Sequence, residues 1–335
     1  MMRAQRLRML WLIAISFCVL VHMAFFTRVA QSEYPERPVT VIVAMAAGGT
    51  IDVSVRAMVP GVNRAFGQSI IVENKGGGGG TVALAVTATA KPDGYTLCAS
   101  NCDAVVITCL MQNVPFKPLR SFTSIMGFAM SEHTALLVKS DSPWKTFKEF
   151  MDYAKKNPGK IKYSSAGIGT GMHVAMEVIA HKDGIKWVHV PYKGTAPART
   201  ALLGGHVDAC SSGLGWIPFA QSGQLRVLAT HGRERLPSYP DVPTLKELGY
   251  GFVNDTVHAI LGPAGLPPEV VRKLETAFTK GTETPEFKTA VEQLYLTPIL
   301  IKSKEYDLHL KERWVRMEKM FKEIGIIKEA ATQPY

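Results

Sequence analysis

From Val39 onward, short apolar runs alternate with longer stretches whose apolar residues recur every three or four positions. "VTVIV" (39–43) is apolar and β-branched, as a buried strand requires. Gly48 and Gly49 follow. Ile51, Val55, Met58, Val59, Val62 and Phe66 then fall at helical spacing, with Pro60 inside the pattern and expected to kink it. "SIIVE" (69–73) and "YTLCAS" (95–100) read as strands, and "FTSIMGFAM" and "TALLVK" as further apolar segments. The spacing predicts helices over 145–156, 171–182 and 197–203, the last closed by Gly204-Gly205. Between and after them come the strands "IKYSS" (161–165), "WVHVP", "VDACSS" and "LRVLAT". Late helices are predicted over 268–280, 285–294 and 303–324, the last with Tyr306, Leu310, Trp314, Met317, Phe321 and Ile324 on one stripe. Such alternation implies an α/β protein with parallel sheets covered by helices on both faces. Ligands in such folds sit at the carboxyl ends of the strands.

Composition narrows the class. At 335 residues, nearly half hydrophobic, the chain is too long for one small core and suits two domains. The first thirty residues differ from the rest. Arg3, Arg6 and Arg8 precede an uncharged, mostly apolar stretch from Met9 to Phe26, and "RVAQSEYP" turns polar. This is a secretory signal pattern over 1–30, with an uncleaved anchor as the alternative. Either way the body is expected outside the cytoplasm. Outside that segment, 34 basic residues stand against 28 acidic ones, and no basic run carries interleaved aromatics. Nucleic acid is therefore not an expected partner. Cys18 falls in the signal. Cys98, Cys102, Cys109 and Cys210 match no zinc spacing and read either as buried small residues or as disulfide partners.

Catalytic patterns are scarce. The five glycines Gly76–Gly80 allow no G-x-G-x-x-G, and neither a phosphate loop nor a nucleophile elbow occurs. A turn that lets backbones pass closely suits them better. His173, Glu177 and His181 share one helix face and are a possible metal set, although a polar face with one residue near a pocket is the favoured reading. Two junctions do stand out. "VIVAMAAGGTID" (41–52) and "YSSAGIGTGMHVAMEVIA" (163–180) both run strand, glycines, helix. They are either ordinary turns or two helix starts with bare N–H groups that together neutralise the two ends of a dicarboxylate.

The chain resembles the Bug family of periplasmic solute-binding proteins of tripartite tricarboxylate transporters. The resemblance rests on "YPERPVTVIV", "AAGGTID", "FGQSIIVENKGGGGG", "AKPDGYTL", "SSAGIGTGMH", "VPYKGTAPARTALLGGHVDA", "LRVLATHGRERLPSYPDVPTLKELGY" and "GPAGLPPEVVRKL". It implies a type II periplasmic binding protein, a Venus-flytrap of two α/β domains around a ligand cleft. It also implies a carboxylate ligand held by backbone N–H groups and waters, transporter membrane components as partners, a monomer, and neither cofactor nor resident metal. By the same resemblance, domain 1 is 32–130 plus 254–335 and domain 2 is 131–253. Ala47, Gly48, Gly49, Thr50 and Asp52 are expected in one jaw, with Ser100 and Asn101 nearby. Ser165, Gly167, Gly169, Thr170 and His173 are expected in the other, with Thr195 and Ser211 behind. Asp52 is expected to cap its own loop or hold a bridging water. Asp208 is expected to meet a ligand hydroxyl or amine, or only the hinge. Two departures bear on the ligand. The family's proline and aromatic residue before the first glycines are replaced by Ala44-Met45-Ala46-Ala47, and Val257-His258 stands where aromatics are frequent. The rival readings are a binding protein that feeds a sensor kinase, and a hydrolase using Cys210 or a metal at His173.

Overall fold

The computed structural model describes Trp11 and residues 34–335. The expected signal segment 1–30, Cys18 included, otherwise lies outside the described residues. The chain from Arg37 to Tyr335 builds two sheets. It opens with β1 (Val39–Val43), α1 (Thr50–Phe66), β2 (Ile70–Asn74), a 3-10 turn at Gly78–Gly80, α2 (Thr81–Ala88) and β3 (Thr96–Asn101). Two short helices, α3 (Cys102–Val105) and α4 (Ile107–Met111), lead to β4 (Phe122–Ser131). The second sheet comes next: β5 (Ala135–Lys139), α5 (Phe147–Lys156), β6 (Lys162–Ser165), α6 (Gly171–Asp183), β7 (Val188–Pro191), α7 (Thr195–Leu203), β8 (Ala209–Ser212), α8 (Ile217–Gln221) and β9 (Leu225–Thr230). The chain then returns through β10 (Thr256–Pro263), α9 (Pro268–Thr282), α10 (Pro285–Gln293), β11 (Thr297–Lys302) and α11 (Ser303–Glu323).

The strand order is β11-β4-β10-β3-β1-β2 in the first sheet and β7-β6-β8-β5-β9 in the second. Neither sheet is purely parallel, which corrects the expectation from alternation. β1, β2 and β3 are parallel, as are β6, β7 and β8. β10 runs antiparallel between β3 and β4, and β5 antiparallel between β8 and β9. β5 and β10 are the first strands after each crossing from one sheet to the other. A chain entering a sheet from the opposite lobe starts where the parallel strands end, and so runs against them.

α1 buries Ile51, Val55, Met58 and Val62 and runs through Pro60 without interruption. Gly67, in the left-handed region at φ 65°, stops it. α1 lies tightly on α9: a Cβ on Gly61 would stand 2.9 Å from Gly281 Cα. β10 is buried along its whole length, while the edge strand β11 alternates between half-buried and exposed. The stripe of α11 is buried as its spacing requires, with one addition. Arg313, between Leu310 and Trp314, is buried with them. Among the described residues, no helix is long and apolar enough to cross a membrane.

Candidate functional site

The carboxyl ends of β1, β3, β4, β6 and β8 and the starting ends of β5 and β10 meet between the two sheets. A cavity of about 30 Å³ lies there. Met45, Gly49, Thr50, Ile51 and Asn101 line it from the first lobe, and Ala166, Met172, Thr195 and Gly213 from the second. Ser131, Thr134, Asn254, Thr256 and His258 line it from the two crossings. No side chain of the lining is acidic, and none is Lys or Arg.

The first jaw is built by its own aspartate. Asp52, 3 % exposed, turns back so that Oδ2 accepts from Gly48 N at 2.9 Å. Its Oδ1 accepts from Arg56 Nε and Asn74 Nδ2, both at 2.9 Å. With Asp52 held there, the loop presents Gly49, an N-cap in extended conformation with no side-chain cap. Val53 N is the first to find a helical acceptor, on Gly49 O at 3.0 Å. Thr50 and Ile51 precede that bond and face the cavity with the positive end of a long helix. Ala47 and Gly48 are exposed and outside the lining.

A second bare helix start comes from α7. Gly194 is its N-cap, again with no side-chain cap, and Thr195 lines the cavity beside Gly49. Pro197 has no N–H, so Thr195 and Ala196 are the donors of that turn. Asn101 completes the donor set. Its Oδ1 caps α3 through Ala104 N at 2.9 Å, which leaves Nδ2 to the cavity. Sheet register places Asn101 opposite His258 and Ser131 opposite Thr256. His258 Nε2 lies 2.9 Å from Ser131 Oγ, and Nδ1 has no protein partner. Burial pushes His258 down to about 4, so the imidazole is neutral at physiological pH.

Two of the first three N–H groups of α6, those of Gly171 and His173, are taken up inside the protein. Thr170 accepts from His173 N and donates to Gly167 O. Gly169 N donates to His173 Nδ1 at 3.2 Å, and Gly171 N to Asp103 Oδ2 at 3.0 Å. His173 therefore carries its proton on Nε2, 3.6 Å from Glu177 Oε1. Its ring stacks on His189 at 4.3 Å, and burial lowers it to about 4. Met172 and Ala166, not Gly167, Gly169, Thr170 or His173, reach the cavity from this junction. The glycines serve close approach instead. Gly169 sits at φ +76°, and a Cβ on it would come within 2.4 Å of Thr108 Cα across the cleft.

The other expected site residues are placed elsewhere. Ser165 Oγ lies 2.7 Å from His189 Nε2, inside the second lobe. Ser100 and Ser211 are fully buried, and neither hydroxyl has a partner. Asp208 stands at the far end of the sheet, where Oδ2 accepts from Lys162 N at 2.8 Å. It lies just before β8, whose carboxyl end faces the cleft, so it meets neither cavity nor crossing. The crossings are tied by His231 N to Thr134 O at 2.7 Å and Asn254 N to His231 O at 2.8 Å. Ser131, Thr134, Asn254 and Thr256 carry no local motif. The only signal for this part of the lining is His258 in an otherwise apolar run.

The rival chemistry finds little footing. Cys98, Cys102, Cys109 and Cys210 are free and buried. Burial pushes Cys210 up to about 11, the opposite of what a thiolate nucleophile needs. Among the described residues, no three His, Cys, Asp or Glu side chains gather as a metal site would require.

Comparison with known proteins decides the family. Residues 54–326 match the family described as the tripartite tricarboxylate transporter family receptor. The chain belongs to that family. It is 35 % identical over 302 residues to a UPF0065 protein of Cupriavidus necator, covering 89 % of this chain and 91 % of that one. Among solved structures, this family member resembles the periplasmic binding protein BugD, with TM-score 0.81, 32 % identity, and coverage of 87 % of this chain and 99 % of that one. It also resembles MatC from Rhodopseudomonas palustris with bound malate, with TM-score 0.79, 27 % identity, and coverage of 85 % and 99 %. The architecture is the two-domain periplasmic binding-protein fold.

Proposed function

We propose that this receptor captures a small dicarboxylate between its two lobes in the periplasm, without transforming it, and hands it to the membrane components of a tripartite transporter. One observation carries the reading. The uncapped starts of α1 and α7 converge with Asn101 on a cavity lined by no Lys, Arg, Asp or Glu. Helix starts and neutral donors bind an anion without a fixed opposing charge, which favours a ligand that must also leave. The malate in MatC supports a dicarboxylate of that size. The cavity lies between the two lobes, so a ligand enters it when the lobes part. We place the lobes at 37–130 plus 254–335 and at 131–253, with the paired crossings as hinge. The receptor works as a monomer.

A thermal-shift and calorimetric panel of malate, succinate, citrate, benzoate and glutamate tests this. A dicarboxylate should raise the unfolding temperature in proportion to the logarithm of its concentration, and mass spectrometry should recover it unchanged. No shift with any carboxylate, or conversion of the ligand, overturns the reading.

A further inference from the structure

Asp103 opens α3 and is 2 % exposed. Its Oδ1 accepts from Arg313 Nη2 at 2.6 Å, with Cys102 Sγ at 3.8 Å. Its Oδ2 accepts from Thr256 Oγ1 at 2.7 Å and, from the other lobe, Gly171 N at 3.0 Å. Arg313 is 1 % exposed, and its other arm pairs with Asp255, which Arg316 also reaches at 3.1 Å. A carboxylate of the first lobe thus sits on the first N–H of α6 in the second. This is where a helix attracts an anion. The first N–H that α6 would offer to a ligand is taken by the protein itself. Space at the contact is tight: a Cβ on Gly171 would lie 2.0 Å from Asn254 Oδ1 and 2.7 Å from Asp103 Oδ2.

We propose that Asp103, aimed by Arg313, is the closing latch of the receptor. It caps α6 across the cleft, holds the lobes shut and sets ligand affinity without touching the ligand. This rests on the lobe-and-cleft reading above. A latch of this kind works through population. Apparent affinity scales with the fraction of the protein that reaches the closed arrangement, so weakening the latch lowers affinity while the ligand's own contacts stay intact. Asp103 is a positioning residue in this scheme. It selects no ligand, and its loss should weaken all ligands by one common factor.

Gly171→Ala and Asp103→Asn test the latch. Gly171 has no positive φ and starts a helix, so alanine suits α6 itself, while its Cβ would meet Asp103 of the first lobe and Asn254 of the crossing in the closed arrangement. Spin labels at Lys91→Cys and Lys160→Cys, both exposed and one per lobe, read the opening, and the four native thiols among the described residues are buried. Both variants should lengthen the label distance without ligand. Both should weaken malate and succinate equally, by about tenfold or more. For Gly171→Ala, the ligand-free unfolding midpoint should scarcely move. If Asp103→Asn fails to fold because Arg313 has lost its partner, Gly171→Ala alone decides. Label distances equal to wild type, or affinities within about twofold of it, overturn the latch and leave Asp103 a brace of the first lobe. If no carboxylate of the panel binds even the wild type, the receptor reading falls, and the label distances still decide the latch.

Discussion

At the start of α1, Asp52 turns back onto Gly48 and leaves Thr50 and Ile51 facing the cavity. At the start of α6, the opposite lobe's Asp103 takes up the N–H of Gly171, Thr170 that of His173, and His173 that of Gly169. The two junctions read alike in sequence, each a strand, glycines and a helix. What separates them is the position of the nearest acceptors. Asp52 lies within its own helix and satisfies the loop from behind, so the N–H groups stay bare in front. Around α6 the acceptors come from the loop itself and from across the cleft. One junction leaves Thr50 and Ile51 on the cavity, and the other spends most of its donors within and between the lobes.

The largest expected effect breaks the open junction. Gly49→Val adds a β-branched side chain between Ala46 O at 3.3 Å and Thr195 Oγ1 at 3.7 Å, where an anion would approach. Dicarboxylate affinity should fall about a hundredfold or more, with unfolding in urea changed by about 1 kcal/mol. Equal affinity in calorimetry would reduce the loop to a plain turn. Asn101→Asp comes next. The new carboxylate still caps α3, since aspartate is as good an N-cap as asparagine, but it removes the Nδ2 donors and brings a negative charge to the cavity. A loss of roughly 10- to 150-fold is expected, with thermal stability retained.

Acid should damage the fold before it reaches any ligand chemistry. Burial holds His173 at about 4, His231 at about 3 and His258 at about 4, below the ordinary 6.5. The unfolded chain therefore takes up protons first. Stability is full above pH 6.5 and falls as the pH drops toward 4, by up to about 1.4 kcal/mol per pH unit for each histidine. Urea titrations between pH 7 and 4.5 check the slope, and a flat profile would mean that these rings are not buried neutral. The smallest effect belongs to Lys193→Met. Lys193 is exposed, and it meets the first jaw through its backbone oxygen, which accepts from Ala46 N at 3.0 Å. Removing the charge should cost under about fivefold in affinity. A greater loss than that of Gly49→Val would show that a side-chain charge, rather than helix starts, grips the anion.

Much of the fold is legible in the chain because its signals are local. Helical spacing over 171–182 and 303–324 marks α6 and α11 to within a residue at their ends. α2 shows no stripe because its apolar residues run all round it, and β11 is a short edge strand. Arg313 is at helical spacing from Leu310 and Met317, so its place on the buried face is readable, but its partners are not. For the site, Gly49, Thr50, Asn101 and Thr195 are named by the sequence and line the cavity. Ser131, Thr134, Asn254 and Thr256 come from crossings that carry no motif.

The sequence by itself determined most of the longer elements and the two glycine junctions, because periodicity acts within a turn or two of the chain. Only the tertiary structure decided the antiparallel insertion of β5 and β10, the pairing of Asn101 with His258, and which N–H groups of the two helix starts find acceptors. Those outcomes depend on groups distant in sequence, as Asp103 is from Gly171 and Arg313. A backbone N–H carries no mark of the acceptor that will reach it once the lobes close.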